Sequence, residues 1–220
     1  MRPIAILKRN EQNVLAAEEW SRAVAVKMGF EVKFVAENEY LDIIDDWVER
    51  EDAAMVVCQM DDTRRLQHYL NAFRRLRVPY VFVKEGMSFA MGKIGLPVTR
   101  YEEDKEKGPF CGSFARNFGS KVTIYKPKDY GTMAARNIES IAGLLQKESV
   151  EYVIEYGRRN SDQIETEAAD MENDFLIISA SRDYGWDDLI FGPKERKTIK
   201  RAKTPVMVIN PRGDLYPLCN

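Results

Sequence analysis

The sequence has few of the residues that most catalytic and metal sites require. Its 220 residues include a single histidine, His68, and three cysteines that lie far apart along the chain. One histidine excludes zinc sites that need two histidine ligands, and isolated cysteines exclude a Cys-x-x-Cys redox or metal pair. Such thiols are typical of a reducing compartment, so we expect a cytoplasmic protein. Cys58 lies within an apolar run, which favours packing in the core.

Long apolar runs and a strong net charge are absent as well. No run approaches the roughly 18 apolar residues that span a membrane, and residues 1–8 become polar too early for a signal peptide. The formal net charge of −2 provides no general attraction to nucleic acid or to anionic lipid. Two predicted helices are basic and can bind nucleic acid, but we interpret them as solvated faces because basic residues also suit helix C-termini. We therefore expect neither a membrane nor a nucleic-acid partner.

Motifs of the common enzyme classes are also missing. The chain has no Gly-x-Ser-x-Gly elbow, no Walker loop and no Gly-x-Gly-x-x-Gly fingerprint. His68 follows Leu66 on a predicted helix and is interpreted as a surface or boundary residue rather than a catalyst. No combination of acid, base and nucleophile can be assembled from residue spacing. We predict that the protein is not an enzyme, with no catalytic residues and no metal site.

What is present is a regular alternation of strands and helices in two series. The first series has predicted strands at 4–7, 31–36, 53–58 and 79–83, with helices near 13–28, 40–50 and 63–76. The second has predicted strands at 93–98, 121–125, 151–154, 175–179 and 205–209, with helices near 102–118, 132–148, 161–171 and 193–203. Thr132, and either Ser161 or Asp162, are the predicted N-caps of two helices in the second series.

This alternation predicts an α/β fold. Strands that alternate with helices form a parallel sheet covered on both faces, with right-handed crossovers. The first series is one strand–helix unit short, and the two series match best at their ends, 77–83 against 203–209. We therefore predict two α/β repeats, a truncated one at 1–84 and a fuller one at 92–211.

The segment 174–211 carries the strongest indication of a ligand site. It consists of a predicted strand ending at Ser179, a loop over 180–191, Gly192 and Pro193 before a basic helix, and a last strand. Such a loop leaves the carboxyl end of a strand, where ligands of parallel sheets bind. Gly192 and Pro193 also suit a simple turn into a helix, and Arg182 suits either an anion contact or a solvated loop. Both interpretations remain open.

Residues 92–211 resemble a universal stress protein domain, most clearly in this loop, Gly192, the basic helix and the Thr-Pro-Val strand. The first series resembles a truncated copy, so the whole chain is similar to tandem universal stress proteins. The resemblance implies a three-layer α/β/α sandwich with parallel sheets and adenine-nucleotide-α-hydrolase-like topology. It also implies dimerisation and, in many members, ATP binding by a Gly-x-x-Gly-x9-Gly-(Ser/Thr) loop and an Asp that ends the first strand.

The chain departs from this ATP-binding pattern at four positions. With Gly192 as the last glycine, the earlier glycines fall on Ser179 and Arg182, the Ser/Thr falls on Pro193, and the Asp falls on Thr99. Glycines let backbone N–H groups approach phosphate, and proline has no N–H to offer at the helix start. Losing several contacts of about 1–3 kcal/mol each is enough to abolish micromolar binding. The comparison therefore implies that ordinary ATP binding is lost or much weakened.

Two functions follow as expectations. The first is a non-enzymatic, universal-stress-type protein that acts in stress response through protein partners, its repeats forming an internal pseudo-dimer through their last strands. It needs no cofactor. The second is a sensor that binds ATP, AMP or another small anion in a residual pocket of the second repeat. The predicted lining of that pocket is Pro97, Val98, Thr99, Ile124, Ser179, Ala180, Arg182, Gly192, Pro193 and Lys194.

Overall fold

The computed structural model describes residues 1–10, 12–60, 62–181 and 193–212. The strands in these ranges are β1 (Pro3–Lys8), β2 (Glu31–Ala36), β3 (Met55–Met60), β4 (Tyr80–Lys84), β5 (Lys93–Pro97), β6 (Lys121–Lys126), β7 (Tyr152–Tyr156), β8 (Phe175–Ser179) and β9 (Val206–Ile209). The α-helices are α1 (Leu15–Met28), α2 (Glu37–Tyr40), α3 (Ile44–Arg50), α4 (Leu66–Phe73), α5 (Lys107–Phe118), α6 (Thr132–Lys147), α7 (Ile164–Ala168) and α8 (Lys194–Arg201). Two 3-10 turns, Leu41–Ile43 and Glu102–Glu106, precede α3 and α5.

The strands form one continuous sheet in the order β2-β1-β3-β4-β9-β8-β5-β6-β7. Neighbouring strands are parallel except β4 and β9, which pair antiparallel with Val81 opposite Met207. The two last strands therefore lie side by side, as the sequence predicted. We call residues 1–84 the first half and residues 92–212 the second half.

Strand order relates the two halves. From the central pair outward, the second half runs β9, β8, β5, β6, β7, and the first half runs β4, β3, β1, β2. The first half thus repeats the order of the second without its outermost strand. The predicted α/β class with a largely parallel sheet is confirmed, and descent of the halves from one repeated unit stays a prediction.

The core has one layer on each face of the sheet. Along β1, Ile4 and Ile6 face the layer under α1, α5 and α6, and Ala5 and Leu7 face the layer under α3, α4, α7 and α8. Trp20 of α1 lies 6.3 Å from Phe114 of α5 and 5.6 Å from Phe175 of β8, between ring centroids. Because Trp20 belongs to the first half and the two phenylalanines to the second, the halves share one core.

Several local predictions were wrong. Thr132 is the first residue of α6 rather than its cap, and α7 begins only at Ile164. Ser161 does not cap α7, because its N–H and hydroxyl both donate to the Asp129 carboxylate, at 2.6 and 3.0 Å. Asp162 instead faces cations across a cleft, as described below. The predicted helix over 40–50 is divided between α2, a 3-10 turn and α3.

No helix within the described residues combines the length and apolarity needed to cross a bilayer.

Candidate functional site

A cleft of about 380 Å³ opens at the carboxyl ends of β5 and β8 in the second half. Four chain segments meet there because strand ends of a parallel sheet share one edge. The lining residues are Thr99, Arg100, Tyr101, Glu102, Glu103, Ser161, Asp162, Glu165, Ser179, Ala180, Ser181 and Lys194.

The structure places the predicted pocket residues in three groups. Four of them line the cleft: Thr99, Ser179, Ala180 and Lys194. Four are buried beside or beneath it: Pro97, Val98, Ile124 and Pro193. The other two, Arg182 and Gly192, lie outside the described residues. A ligand role for any of them stays a prediction.

The backbone donors at the end of β8 are all used within the protein. The Ser179 N–H donates to Glu165 Oε1 at 3.1 Å, and the Ala180 N–H donates to the Ile209 carbonyl at 2.9 Å. The N–H and the hydroxyl of Ser181 both donate to Glu195 Oε2, at 3.1 and 2.7 Å. Two of three successive amides therefore bind carboxylates of the chain itself, where a phosphate-binding loop would offer free N–H groups.

The start of α8 is arranged in the same way. Pro193 precedes the helix with extended backbone angles, and the Lys194 N–H donates to Ser181 Oγ at 3.3 Å. Glu195, 1 % exposed, lies in the first turn, where the helix dipole favours an anion. The positive end of α8 thus interacts with a carboxylate of its own first turn.

Beneath the cleft lies a buried ion pair whose two residues were not among those predicted from the sequence. Lys107 of α5 and Asp104 of the preceding turn are both fully buried, with Nζ 2.9 Å from Oδ1. Lys107 also donates to the Pro97 carbonyl and lies 3.7 Å from Glu165 Oε1. Asp104 accepts hydrogen bonds from the Thr99 N–H and, at 2.8 Å, from the Ser179 hydroxyl.

A carboxylate of this ion pair lies close to the position of the missing strand-end aspartate. The resemblance places an ATP-binding Asp at Thr99, which has no carboxylate. The carboxylate of Asp104 reaches the backbone at Thr99 instead. It is fully buried and bonded on both oxygens, so it holds β5, β8 and α5 together rather than facing a ligand.

Glu165 connects the ion pair to the cleft. Burial raises the pKa of its carboxyl to about 7, against the favourable field of Lys107, and the nearby Asp104 adds to the rise. Because Glu165 also lines the cleft, the inner wall changes charge close to neutral pH.

The mouth of the cleft carries two cations around one acid. Asp162 Oδ1 lies 3.4 Å from both Arg100 NH2 and Lys194 Nζ. Lys194 Nζ also donates to the Tyr101 hydroxyl at 2.9 Å. All three charged side chains are about half exposed. Solvated contacts of this length exchange readily, so an incoming anion can compete with Asp162 for both cations.

The other candidates from the sequence lie away from the cleft. His68 is exposed on α4, and Cys58 and Cys111 are buried, so Cys58 packs in the core as predicted. Burial raises the pKa of the Cys111 thiol well above its usual range. Among the residues that the structure describes, no three His, Cys, Asp or Glu side chains are grouped as metal ligands.

The similarities of this chain to known proteins come from structure rather than from sequence. No protein-family model matches the chain, and no curated protein matches its sequence. A universal stress protein from Archaeoglobus fulgidus superposes with a TM-score of 0.62 at 13% identity, covering 97% of this chain and 88% of that one. A Pseudomonas aeruginosa protein assigned as a universal stress protein gives 0.58 at 14% identity, covering 96% and 83%.

The same architecture also occurs outside that group. The cytoplasmic domain of a prokaryotic cation chloride cotransporter superposes with a TM-score of 0.53 at 10% identity, covering 94% of this chain and 83% of that one. A shared fold at such identities does not fix a shared function, which depends on the site. The order of strands, the site at the carboxyl edge and these superpositions together lead to one conclusion: the chain has the universal-stress-protein fold.

Proposed function

We propose that the protein is a non-enzymatic, universal-stress-type protein that acts in a stress response through protein association and does not bind ATP in the usual mode of its fold. The observation that carries the proposal is the use of the Ser179 and Ser181 amides by Glu165 and Glu195. The resemblance places the start of the phosphate-binding loop at Ser179, where a triphosphate would need N–H donors. The chain uses these donors for its own carboxyl groups.

The energetic cost of restoring the usual mode supports this view. A phosphate would have to displace both carboxylates, and hydrogen bonds to charged groups contribute about 1.5–3 kcal/mol each. The displaced Glu195 would lose its two hydrogen bonds from Ser181 while staying buried, which is unfavourable. The free energy lost with these internal hydrogen bonds therefore exceeds the free energy gained from phosphate contacts at this edge.

Two further observations support a non-catalytic role and an internal pseudo-dimer. The Ser179 hydroxyl is bonded to Asp104, which is paired with Lys107, so neither acid nor amine is placed as a free base for it. The antiparallel contact of β4 with β9 joins the halves where separate domains would otherwise expose their last strands. Partner proteins would then contact surfaces other than these strands.

A second candidate, a ligand sensor, is favoured by the open cleft. Its mouth presents Arg100 and Lys194, and Asp162 is the acid that an anionic ligand would displace. A small molecule with one anionic group suits this arrangement better than a triphosphate, because the inner wall carries Glu165.

One experiment separates the two candidates. The purified protein is denatured and its supernatant analysed for adenine nucleotide by mass spectrometry, and the melting temperature is then followed with ATP and with AMP. A ligand at 100 times its Kd adds about 2.7 kcal/mol, or roughly 5–10 °C for a chain of this size. We expect no nucleotide and no shift with ATP. A full shift with ATP would overturn the main proposal.

The sensor candidate has its own readout in the same assay. A shift with AMP alone that disappears in Arg100→Ala and Lys194→Ala would favour the sensor, because these are the cations of the cleft mouth. Asp162→Asn would then increase the shift, since it releases both cations. Lys197→Ala, which changes an exposed residue on the same helix as Lys194, is the matched control.

A further inference from the structure

A basic and aromatic surface lies at the outer end of the sheet, apart from the cleft. It is formed by the last residues of β6 and β7 and the loops that follow them, and its residues are Lys126, Lys128, Tyr130, Tyr156, Arg158 and Arg159. We call these six residues the basic–aromatic patch. The two loops are joined by backbone hydrogen bonds, from the Gly157 N–H to the Lys126 carbonyl and from the Lys128 N–H to the Arg159 carbonyl, both 2.7 Å.

Two of the acids beside the patch accept hydrogen bonds from backbone N–H groups. The Glu167 carboxylate accepts the N–H groups of Arg158 and Arg159 at 3.0 Å. The Asp129 carboxylate accepts both donors of Ser161. These bonds fix the loops, and Lys128, Arg158 and Arg159 are exposed on them.

The cations of the patch lack partners of opposite charge. Within the part of the chain that the structure describes, the side chains of Lys128, Arg158 and Arg159 form no ion pair and no hydrogen bond. Elsewhere on the surface, arginines such as Arg22 and Arg201 pair with nearby acids. Four cations, Lys126, Lys128, Arg158 and Arg159, outnumber the three acids Asp129, Glu155 and Glu167 here, so the region has a formal charge of about +1 whereas the whole chain is slightly acidic.

Two aromatic rings stand among these cations. Tyr156 is 77 % exposed and Tyr130 is 39 % exposed, unusual values for large rings. Lys126 Nζ lies 3.4 Å from the Tyr130 ring centroid and 4.5 Å from that of Tyr156, so a cation holds both rings in place. Most of the Tyr156 surface stays open to a partner.

We propose that the basic–aromatic patch binds single-stranded nucleic acid. Fixed exposed rings beside unpaired cations are the combination that such partners require, because bases stack on the rings and phosphates meet the cations. An acidic peptide would use the cations and leave the rings without a role. This proposal differs from our expectation of no nucleic-acid partner, which rested on net charge, and it does not depend on the proposed function.

The test is fluorescence anisotropy with a labelled 20-nucleotide oligo-uridine and with oligo-thymidine of equal length. Contact with three phosphates predicts a slope of about −2 for log K against log salt on a single strand. Binding should therefore weaken about 20-fold between 50 and 200 mM salt. Equal binding of both oligonucleotides identifies backbone and stacking contacts, and preference for the uridine strand identifies contact with the 2′-hydroxyl.

Variants assign the binding to the patch. The triple change Lys128→Ala, Arg158→Ala, Arg159→Ala should abolish the salt dependence, and Tyr156→Ala should weaken binding about tenfold with the slope unchanged. Lys197→Ala with Lys200→Ala, on the exposed face of α8, is the control for charge removed elsewhere. Circular dichroism and the melting temperature establish that each variant is folded.

Three results would overturn the proposal. They are no binding at 50 mM salt, an equal loss of binding in the α8 control, and displacement of the oligonucleotide by polyglutamate at the same charge concentration. The last result would identify an acidic-peptide surface instead. None of them bears on ATP binding at the cleft, which is measured separately.

Discussion

The two halves of the sheet end in different ways at their carboxyl edges. In the first half, Glu37 is 2 % exposed, accepts the Tyr69 hydroxyl at 2.7 Å and pairs with Arg65. In the second half, the edge between β5 and β8 keeps a cleft of about 380 Å³ above the buried pair of Asp104 and Lys107.

The two edges differ in which side chains lie at the ends of the strands. At both edges the buried carboxylates accept hydrogen bonds from groups of the chain itself, as buried polar groups require. In the first half the acid, the tyrosine and the arginine occupy the space between β2 and α4, and a separate cleft of about 320 Å³ lies beside Gln59 and Glu85. In the second half the acids line the wall of the cleft itself. The sensor candidate concerns the second half, because the two cations at the mouth of its cleft share a single acid.

Among the variants that test this comparison, Lys107→Met has the largest expected effect on stability. The change leaves Asp104 buried without its cation, and breaking a buried pair costs about 3–5 kcal/mol. Urea denaturation measures the loss. Lys121→Met removes a surface pair with Glu151 and should cost less than about 1 kcal/mol. Equal losses in the two variants would contradict a structural role for the buried pair.

The next test uses the pH dependence of Glu165. The pKa of its carboxyl is raised from 4.5 to about 7 in the folded state, so the folded protein holds this proton where the unfolded chain has lost it. Stability should therefore fall as pH rises from about 4.5 to 7 and level off above 7, an effect on the order of 2–3 kcal/mol.

Glu165→Gln isolates that effect. Urea denaturation at pH 5, 6, 7 and 8 should show the wild type losing stability relative to the variant across this range. Parallel curves for the two proteins would mean that Glu165 does not titrate near neutrality and that the cleft wall keeps its charge.

The smallest expected effect is that of Tyr69→Phe in the first half. Glu37 loses the bond from the hydroxyl but keeps Arg65, so we expect a loss of about 1–2 kcal/mol. Thermal and urea unfolding measure it, with the exposed Tyr156→Phe as a neutral control. A loss as large as that of Lys107→Met would show that the two edges are held together by equally costly networks.

Much of the fold followed from patterns along the sequence. Apolar runs located the strands that the structure describes to within a few residues, because strands covered on both faces must be apolar. The starts of helices were harder to predict. Ser161 and Asp162 both have side chains suited to capping, but Ser161 bonds to Asp129 and Asp162 pairs with two cations. Only the fold brings these partners near.

The predicted pocket residues and the cleft overlap only in part. Thr99, Ser179, Ala180 and Lys194 line the cleft, and a ligand role for them stays a prediction. Asp104, Lys107, Glu165 and Glu195 were not singled out, because charged residues on predicted helices normally face solvent. The i, i+3 spacing of Asp104 and Lys107 after a strand was the one available signal, and spacing alone does not distinguish a buried pair from an exposed one.

The central claim is that the amides of Ser179 and Ser181 are already occupied by carboxylates of the chain. Two-dimensional 1H–15N NMR of the labelled protein, titrated with Mg-ATP to millimolar concentration, observes these two amides directly. The account predicts that their resonances stay in place while weak, nonspecific shifts appear elsewhere. Saturable movement of both resonances would mean that phosphate displaces Glu165 and Glu195, and would contradict the account.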